Sequence, residues 1–136
     1  MTWKKLETYF LQRPSEFLSD LFSDCPFPWS PLGKLKTKIE LVFTNSKNQG
    51  AVAADRTILF NPDFSHREGS FFFTRTEVLK SDFIDTELCI QIKSGTLVEA
   101  GATIKNHTII EDSCEIRQGA YLRGYAYIGE KSVVGH

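Results

Sequence analysis

The sequence predicts a mainly β chain, an α-helical lead-in and cap followed by a parallel β-helix of about two and a half coils. Three observations predict it. Written in sixes from Ile92, the leading positions are Ile92, Val98, Ile104, Ile110, Ile116, Leu122, Ile128 and Val134, all aliphatic. The fifth positions are Thr96, Ala102, Thr108, Cys114, Ala120, Ala126 and Ser132, all small. Ile, Leu and Val make up about a fifth of the chain, so eight hits in one register arise by chance about once in 10⁵ trials. Composition also changes near residue 83: all eleven Phe and all five Pro lie at or before it, and six of the nine Gly lie after it. Finally, the front of the chain carries apolar residues at helical spacing. The division is therefore 1–83, a helical and short-strand cap region, and 84–136, the β-helix, incomplete at its C-terminus.

The lead-in begins with a helix whose stripe is Trp3, Leu6 and Phe10. Pro14 interrupts it, and Ser15 with Glu16 starts a second short helix through Phe17, Leu18, Leu21 and Phe22. Cys25-Pro26-Phe27-Pro28-Trp29-Ser30-Pro31 is too proline-rich for helix or central strand and reads as an extended connector anchored by its aromatics. A third helix covers Leu32 to Phe43 with Leu35, Ile39 and Val42 inward, and Asn45 to Gly50 is a polar loop. Strand signals follow over Ala51–Phe60, ended by Asn61-Pro62-Asp63, and over Ser70–Val78. Phe71-Phe72-Phe73 reads as the seal on the blunt end of the β-helix, packed also on the helices.

In the repeat, each hexad supplies one strand and one turn, and three hexads close a triangular coil of eighteen residues. The aliphatic residue fills the interior, and the small residue also points inward, near a corner that takes nothing larger. Cys114 occupies a small slot, which accounts for it without redox chemistry. Coils 92–109 and 110–127 are followed by only half of a third, so the chain reads as truncated at His136, the alternative being an end covered by another chain.

Residues eighteen apart stack about 4.8 Å apart. On one outward face Lys93 lies under Glu111, and on the second Glu99 lies under Arg117. On the third, Lys105 lies under Arg123, with Asn106 and Gly124 beside them. Like charges stacked this way are unfavourable unless an anion lies across them. Either both side chains splay into water, or this face holds a phosphate, a sugar nucleotide or an acidic neighbour.

The hexads resemble those of bacterial acyltransferases and of the C-terminal domains of sugar nucleotidyltransferases. Ile116-Arg117-Gln118-Gly119-Ala120-Tyr121-Leu122-Arg123-Gly124, with Tyr127-Ile128-Gly129 and Val134-Gly135-His136, is similar to nucleotidyltransferase-related β-helix proteins. Leu21-Phe22 through Pro28-Trp29 and Leu32-Gly33-Lys34-Leu35-Lys36 resemble their lead-in, so the likeness touches about half the chain. It implies a left-handed parallel β-helix, against the usual crossover hand. In the N-acetylglucosamine-1-phosphate uridyltransferases, an Arg in a Leu-Arg-Pro-Gly stretch holds the phosphate of the substrate. Leu122-Arg123 matches it, while Gly124 stands for the Pro and Tyr125 for the Gly. The family's later Lys and general-base His would fall past His136, and its Gly-rich nucleotide loop has no counterpart here.

The resemblance implies the N-terminal part of a transferase, related to nucleotidyltransferases or acyltransferases and catalytically incomplete as given. Its substrate-binding residues are Arg123, Lys105, Asn106 and Gly124. Its partner is a sugar phosphate or a nucleotide sugar such as UDP-N-acetylglucosamine, and it forms a homotrimer or other homo-oligomer. No catalytic residue is identified and this chain needs no cofactor, a nucleotide sugar or acyl-CoA belonging to the full-length protein. The alternative is a non-catalytic scaffold that oligomerises.

A net charge of −1 with mixed signs gives no reason to expect nucleic acid or a membrane surface as partner. No apolar run spans a bilayer and no signal peptide opens the chain, so a cytoplasmic protein is expected. Cys25, Cys89 and Cys114 contain no CxxC pair and read as reduced and structural. His66, His107 and His136 are too scattered for a three-histidine metal site, and His107 reads as a solvated corner residue.

Overall fold

The computed structural model describes residues 15–48 and 70–136. The expected first helix, the strand over 51–60 and His66 lie outside the described residues. Among the described residues, two helices, α1 (Glu16–Phe22) and α2 (Leu32–Asn48), precede eleven short strands. The strands are β1 (Ser70–Phe72), β2 (Glu77–Val78), β3 (Phe83–Asp85), β4 (Ile90–Ile92), β5 (Leu97–Val98) and β6 (Thr103–Lys105). They continue as β7 (Thr108–Ile110), β8 (Glu115–Ile116), β9 (Tyr121–Leu122), β10 (Ala126–Ile128) and β11 (Val133–Val134). They form three mixed sheets: β1-β6-β9, then β2-β5-β8-β11, then β3-β4-β7-β10.

One register governs the parallel pairs. Ile90 pairs with Thr108 and Thr108 with Ala126, while Leu97 pairs with Glu115 and Glu115 with Val133. Thr103 pairs with Tyr121 in the remaining sheet. Every partner is therefore eighteen residues away, as the hexads predict. Alternation then decides what points in. Ile92, Val98, Ile104, Ile110 and Ile116 are wholly buried, and together with Leu122 they form one apolar cluster fed by all three sheets. Burying each such side chain contributes about 1.5–3 kcal/mol. Five of the seven small slots are buried as expected, Thr96, Ala102, Thr108 and Ala120 fully and Cys114 nearly so, while the last two, Ala126 and Ser132, are only partly buried. The buried Thr96 hydroxyl is satisfied, donating to the Glu111 carbonyl and accepting from the Cys114 N–H. All three cysteines are free and buried.

The strands before the repeat run the other way. β1 pairs antiparallel with β6, β2 with β5 and β3 with β4, without a slip from Ser70↔Lys105 to Asp85↔Ile90. The chain thus passes each sheet once, reverses at residues 86–89, and passes them again in the opposite order. Asp85 holds the reversal, its buried carboxylate accepting the N–H groups of Glu87 at 3.0 Å and Leu88 at 2.9 Å. Phe71 and Phe83 close on Ile104 and Ile92 with their rings edge to face, and Phe73 and Leu79 sit against the Ala102 and Thr96 corners. The aromatics do seal the end of the core. The composition boundary at residue 83 falls inside β3.

The helices do not join that seal. Ile39 and Phe43, flanked by Leu35, Val42 and Phe17, pack instead on Ile109 and Tyr127, outward side chains of the third sheet, and on Cys89 of the reversal. Ser15 caps α1 as expected. Helix α2 runs through Asn48, so 45–48 are helical rather than loop. The connector is not extended either. Successive turns close it (Ser30 N–H to Phe27 O, Leu32 N–H to Trp29 O), and Phe27 and Trp29 stack on each other in solvent rather than anchoring to the core.

A further periodicity lies in the turns. Cys89, Gly95, Gly101, His107, Ser113, Gly119, Tyr125 and Lys131, spaced six apart, all take positive φ between 47° and 92°. Each corner thus turns through a left-handed residue at this position, joined by Gly124 at the Tyr125 corner, a conformation costing an L side chain about 1–2 kcal/mol. Lys131→Gly should therefore raise stability by about 0.5–1 kcal/mol, net of the extra entropy of glycine in the unfolded chain. Gly95→Ala should lower it, because a Cβ there meets Ser113 Oγ at 3.1 Å. Urea midpoints for both variants test this, and a loss of stability at Lys131→Gly would contradict the turn geometry.

Candidate anion-binding site

The first sheet carries the candidate residues along one edge. Thr103↔Tyr121 and Ile104↔Leu122 fix the ladder, and with Ile104 and Leu122 inward, Lys105 and Arg123 project outward on adjacent rungs. Arg123 is exposed and Lys105 half-buried. Asn106 and Gly124 occupy the next rung, at the corner leading to the third sheet. Gly124 has φ +99°, and a Cβ on it would lie 2.6 Å from the Asn106 carbonyl oxygen, so the close approach of two backbones requires glycine there. The structure thus brings all four sequence-predicted residues together.

The other two faces resolve their charges differently from the expected coil-to-coil stacks. Lys93 pairs with Asp82 of the reversing segment at 3.2 Å, while Glu111 accepts the Tyr127 hydroxyl. The Ser94 backbone N–H and then Lys93 hold the Asp82 carboxyl below its usual range. Arg117 pairs with Glu115 on its own strand at 2.9 Å rather than with Glu99. Among the described residues, Lys105 and Arg123 make no ion pair.

Four residues that the sequence reading did not place in the site complete the corner. The Tyr125 ring stacks on His107 at 4.7 Å, its hydroxyl donates to Glu40 of α2 at 3.1 Å, and the Lys36 ammonium lies 5.0 Å from its centroid. His107 is thus a packed corner residue rather than a solvated one. Burial and the Glu40 carboxylate push the Tyr125 phenol up. The eighteen-residue spacing of His107 and Tyr125 could have revealed their stack. Nothing in the sequence of α2 says that Lys36 and Glu40 reach it. His136 is remote, beside Glu99, Arg117, Gln118 and Gly119 in a shallow depression. Among the described residues, no cluster of three His, Cys, Asp or Glu could hold a metal. None of their helices is long and apolar enough to cross a membrane.

Tyr127 holds α1 and hence the neighbourhood of α2 in place. Its ring stacks on Phe17 at 4.1 Å, and its hydroxyl meets Ser15 Oγ at 2.7 Å and Glu111 at 3.0 Å. Burial pushes its phenol well above the ordinary value of 10.0, with Glu111 and Glu130 adding to the rise. The folded state therefore holds this proton more tightly than the unfolded chain. The stabilisation is complete below about pH 10 and is lost as pH rises above it. Tyr127→Phe should flatten the alkaline fall in stability, measured by urea unfolding between pH 8 and about 11. An unchanged slope would remove Tyr127 as its source. Comparison with family models, curated proteins and solved structures returns no match to this chain.

Proposed function

We propose that this chain is part of a left-handed parallel β-helix protein related to the sugar-nucleotide transferases, and that Lys105 and Arg123 hold the phosphate of a sugar phosphate or nucleotide sugar. The eighteen-residue register around one core supports the β-helix reading. Its hand, and assembly as a homotrimer or other homo-oligomer, rest on the resemblance of the hexads, and a cytoplasmic location rests on the sequence reading.

One observation carries the binding reading. Two cations stand on adjacent rungs without a carboxylate partner among the described residues, whereas Lys93 and Arg117 on the other faces each have one. Stacked like charges are unfavourable alone and become favourable around an anion. Arg123 supplies a planar fork suited to two phosphate oxygens, and Lys105 a point charge beside it. Asn106 and Gly124 shape the floor, the glycine keeping the backbone low at the corner. Transfer chemistry needs groups outside this constellation, so binding and orientation are the role proposed for these residues.

The scaffold reading has one observation in its favour. Val133 lies on β11, the outermost strand of the second sheet, and is 56% exposed, an apolar side chain on a strand edge that a second copy can extend.

Titration calorimetry with glucosamine 1-phosphate and UDP-N-acetylglucosamine separates the two. Arg123→Ala should weaken binding about tenfold or more, since a charge-assisted hydrogen bond is worth about 1.5–3 kcal/mol. The melting temperature should hold, because Arg123 is exposed. Arg117→Ala, a cation already paired, should leave binding unchanged. Equal affinity for wild type and Arg123→Ala would overturn the binding reading. Self-association abolished by Val133→Glu in a chain that binds neither ligand would establish the scaffold.

A further inference from the structure

We infer that the anion taken at this corner is a diphosphate, its second phosphoryl group held by Lys36 of α2. The inference rests on the reading of Lys105 and Arg123 as a phosphate site and adds a third cation from a separate element of the fold.

Two structural units meet here. Lys105 ends β6 of the first sheet and Arg123 directly follows β9, while Lys36 belongs to the helix packed on the third sheet. Tyr125 joins them. It lies two residues beyond Arg123, at most about 7 Å along the chain, and its ring lies 5.0 Å from the Lys36 ammonium. The ring is not free to swing away. His107 stacks on it at 4.7 Å, and Glu40 accepts its hydroxyl at 3.1 Å. Tyr125 is further fixed by a left-handed backbone, φ 47°, which an aromatic residue keeps only where its surroundings impose it.

Lys36 is therefore a positioned cation. Its flexible stem runs from an exposed helix position to an aromatic face, and among the described residues no carboxylate lies within ion-pair distance of it. Glu40, one helical turn further on, is occupied by the Tyr125 hydroxyl. A single phosphoryl group placed between the adjacent rungs of Lys105 and Arg123 is satisfied by those two. Lys36 stands off around the corner, beyond Gly124, which itself adds no side chain and lies close against the backbone and side-chain oxygens of Asn106. A second phosphoryl group linked to the first supplies an anionic centre at that displaced position. A monophosphate leaves it unused.

The test compares inorganic phosphate with pyrophosphate by titration calorimetry on wild type, Lys36→Met, Lys36→Arg and Arg123→Ala. Wild type should bind pyrophosphate more tightly than phosphate. Lys36→Met should lower pyrophosphate affinity about tenfold, leave phosphate unchanged and preserve the melting temperature, while Lys36→Arg should keep most of the affinity for both. Arg123→Ala should weaken both anions. If Lys36→Met leaves pyrophosphate binding intact, or weakens both anions equally, while Arg123→Ala weakens both, the diphosphate assignment falls and the phosphate site stands. If wild type binds neither anion, or Arg123→Ala changes neither, the underlying site falls and this inference with it.

Discussion

Everything in this structure depends on the backbone ladder that lays each strand on the one eighteen residues before it. It turns a sequence of sixes into three faces and gives each position in the six one fate. The aliphatic residue goes inward, the small residue goes to the corner, and the fourth residue of each hexad turns through positive φ. A one-residue slip would send the whole inward set out to solvent, so burial of Ile92, Val98, Ile104, Ile110 and Ile116 holds the register. The ladder also puts Lys105 beside Arg123 and stacks Tyr125 on His107. Core and candidate site are therefore consequences of the same pairing.

The first strands of that ladder would present open edges. The reversal at Asp85 answers this locally, because β1, β2 and β3 pair antiparallel with β6, β5 and β4 and bring Phe71, Phe73 and Phe83 onto the exposed core. With the end closed by these strands, the helices are left for a lateral face. They cover the third sheet through Ile39, Phe43, Ile109 and Tyr127. This placement brings Lys36 and Glu40 to the corner of the proposed anion site, so the helical lead-in bears on binding as well as on stability.

Sequence periodicity made the repeat legible because each hexad position has a single local reason for its residue type. Ile104 and Ala120 could be placed from spacing alone, and Cys114 could be read as a packing residue. The capping role of Phe71 to Phe73 followed from the need to close the core. The antiparallel reversal did not, because Glu77 breaks the apolar six-residue pattern that Phe71 and Phe83 begin. Left-handed turns were equally hidden, since glycine fills only Gly95, Gly101 and Gly119 of the eight positions and packing enforces the rest. Of the site, the four residues on the ladder were legible because stacking follows from spacing. Lys36, Glu40 and the Tyr125–His107 stack were not, because helix docking depends on which outward face offers an apolar surface. The partners of Lys93 and Arg117 were misplaced for a related reason. Asp82 and Glu115 lie closer than the residue one coil away, and a side chain takes the nearest opposite charge.

The most direct measurement of this constraint is the pairing register in solution, read from interstrand nuclear Overhauser contacts in the isotope-labelled protein. The ladder predicts backbone contacts joining 90 to 108, 108 to 126, 97 to 115, 115 to 133 and 103 to 121, with antiparallel contacts joining 71 to 104 and 83 to 92. Contacts at any other spacing, such as neighbouring hexads paired as hairpins, would contradict it and would separate Lys105 from Arg123.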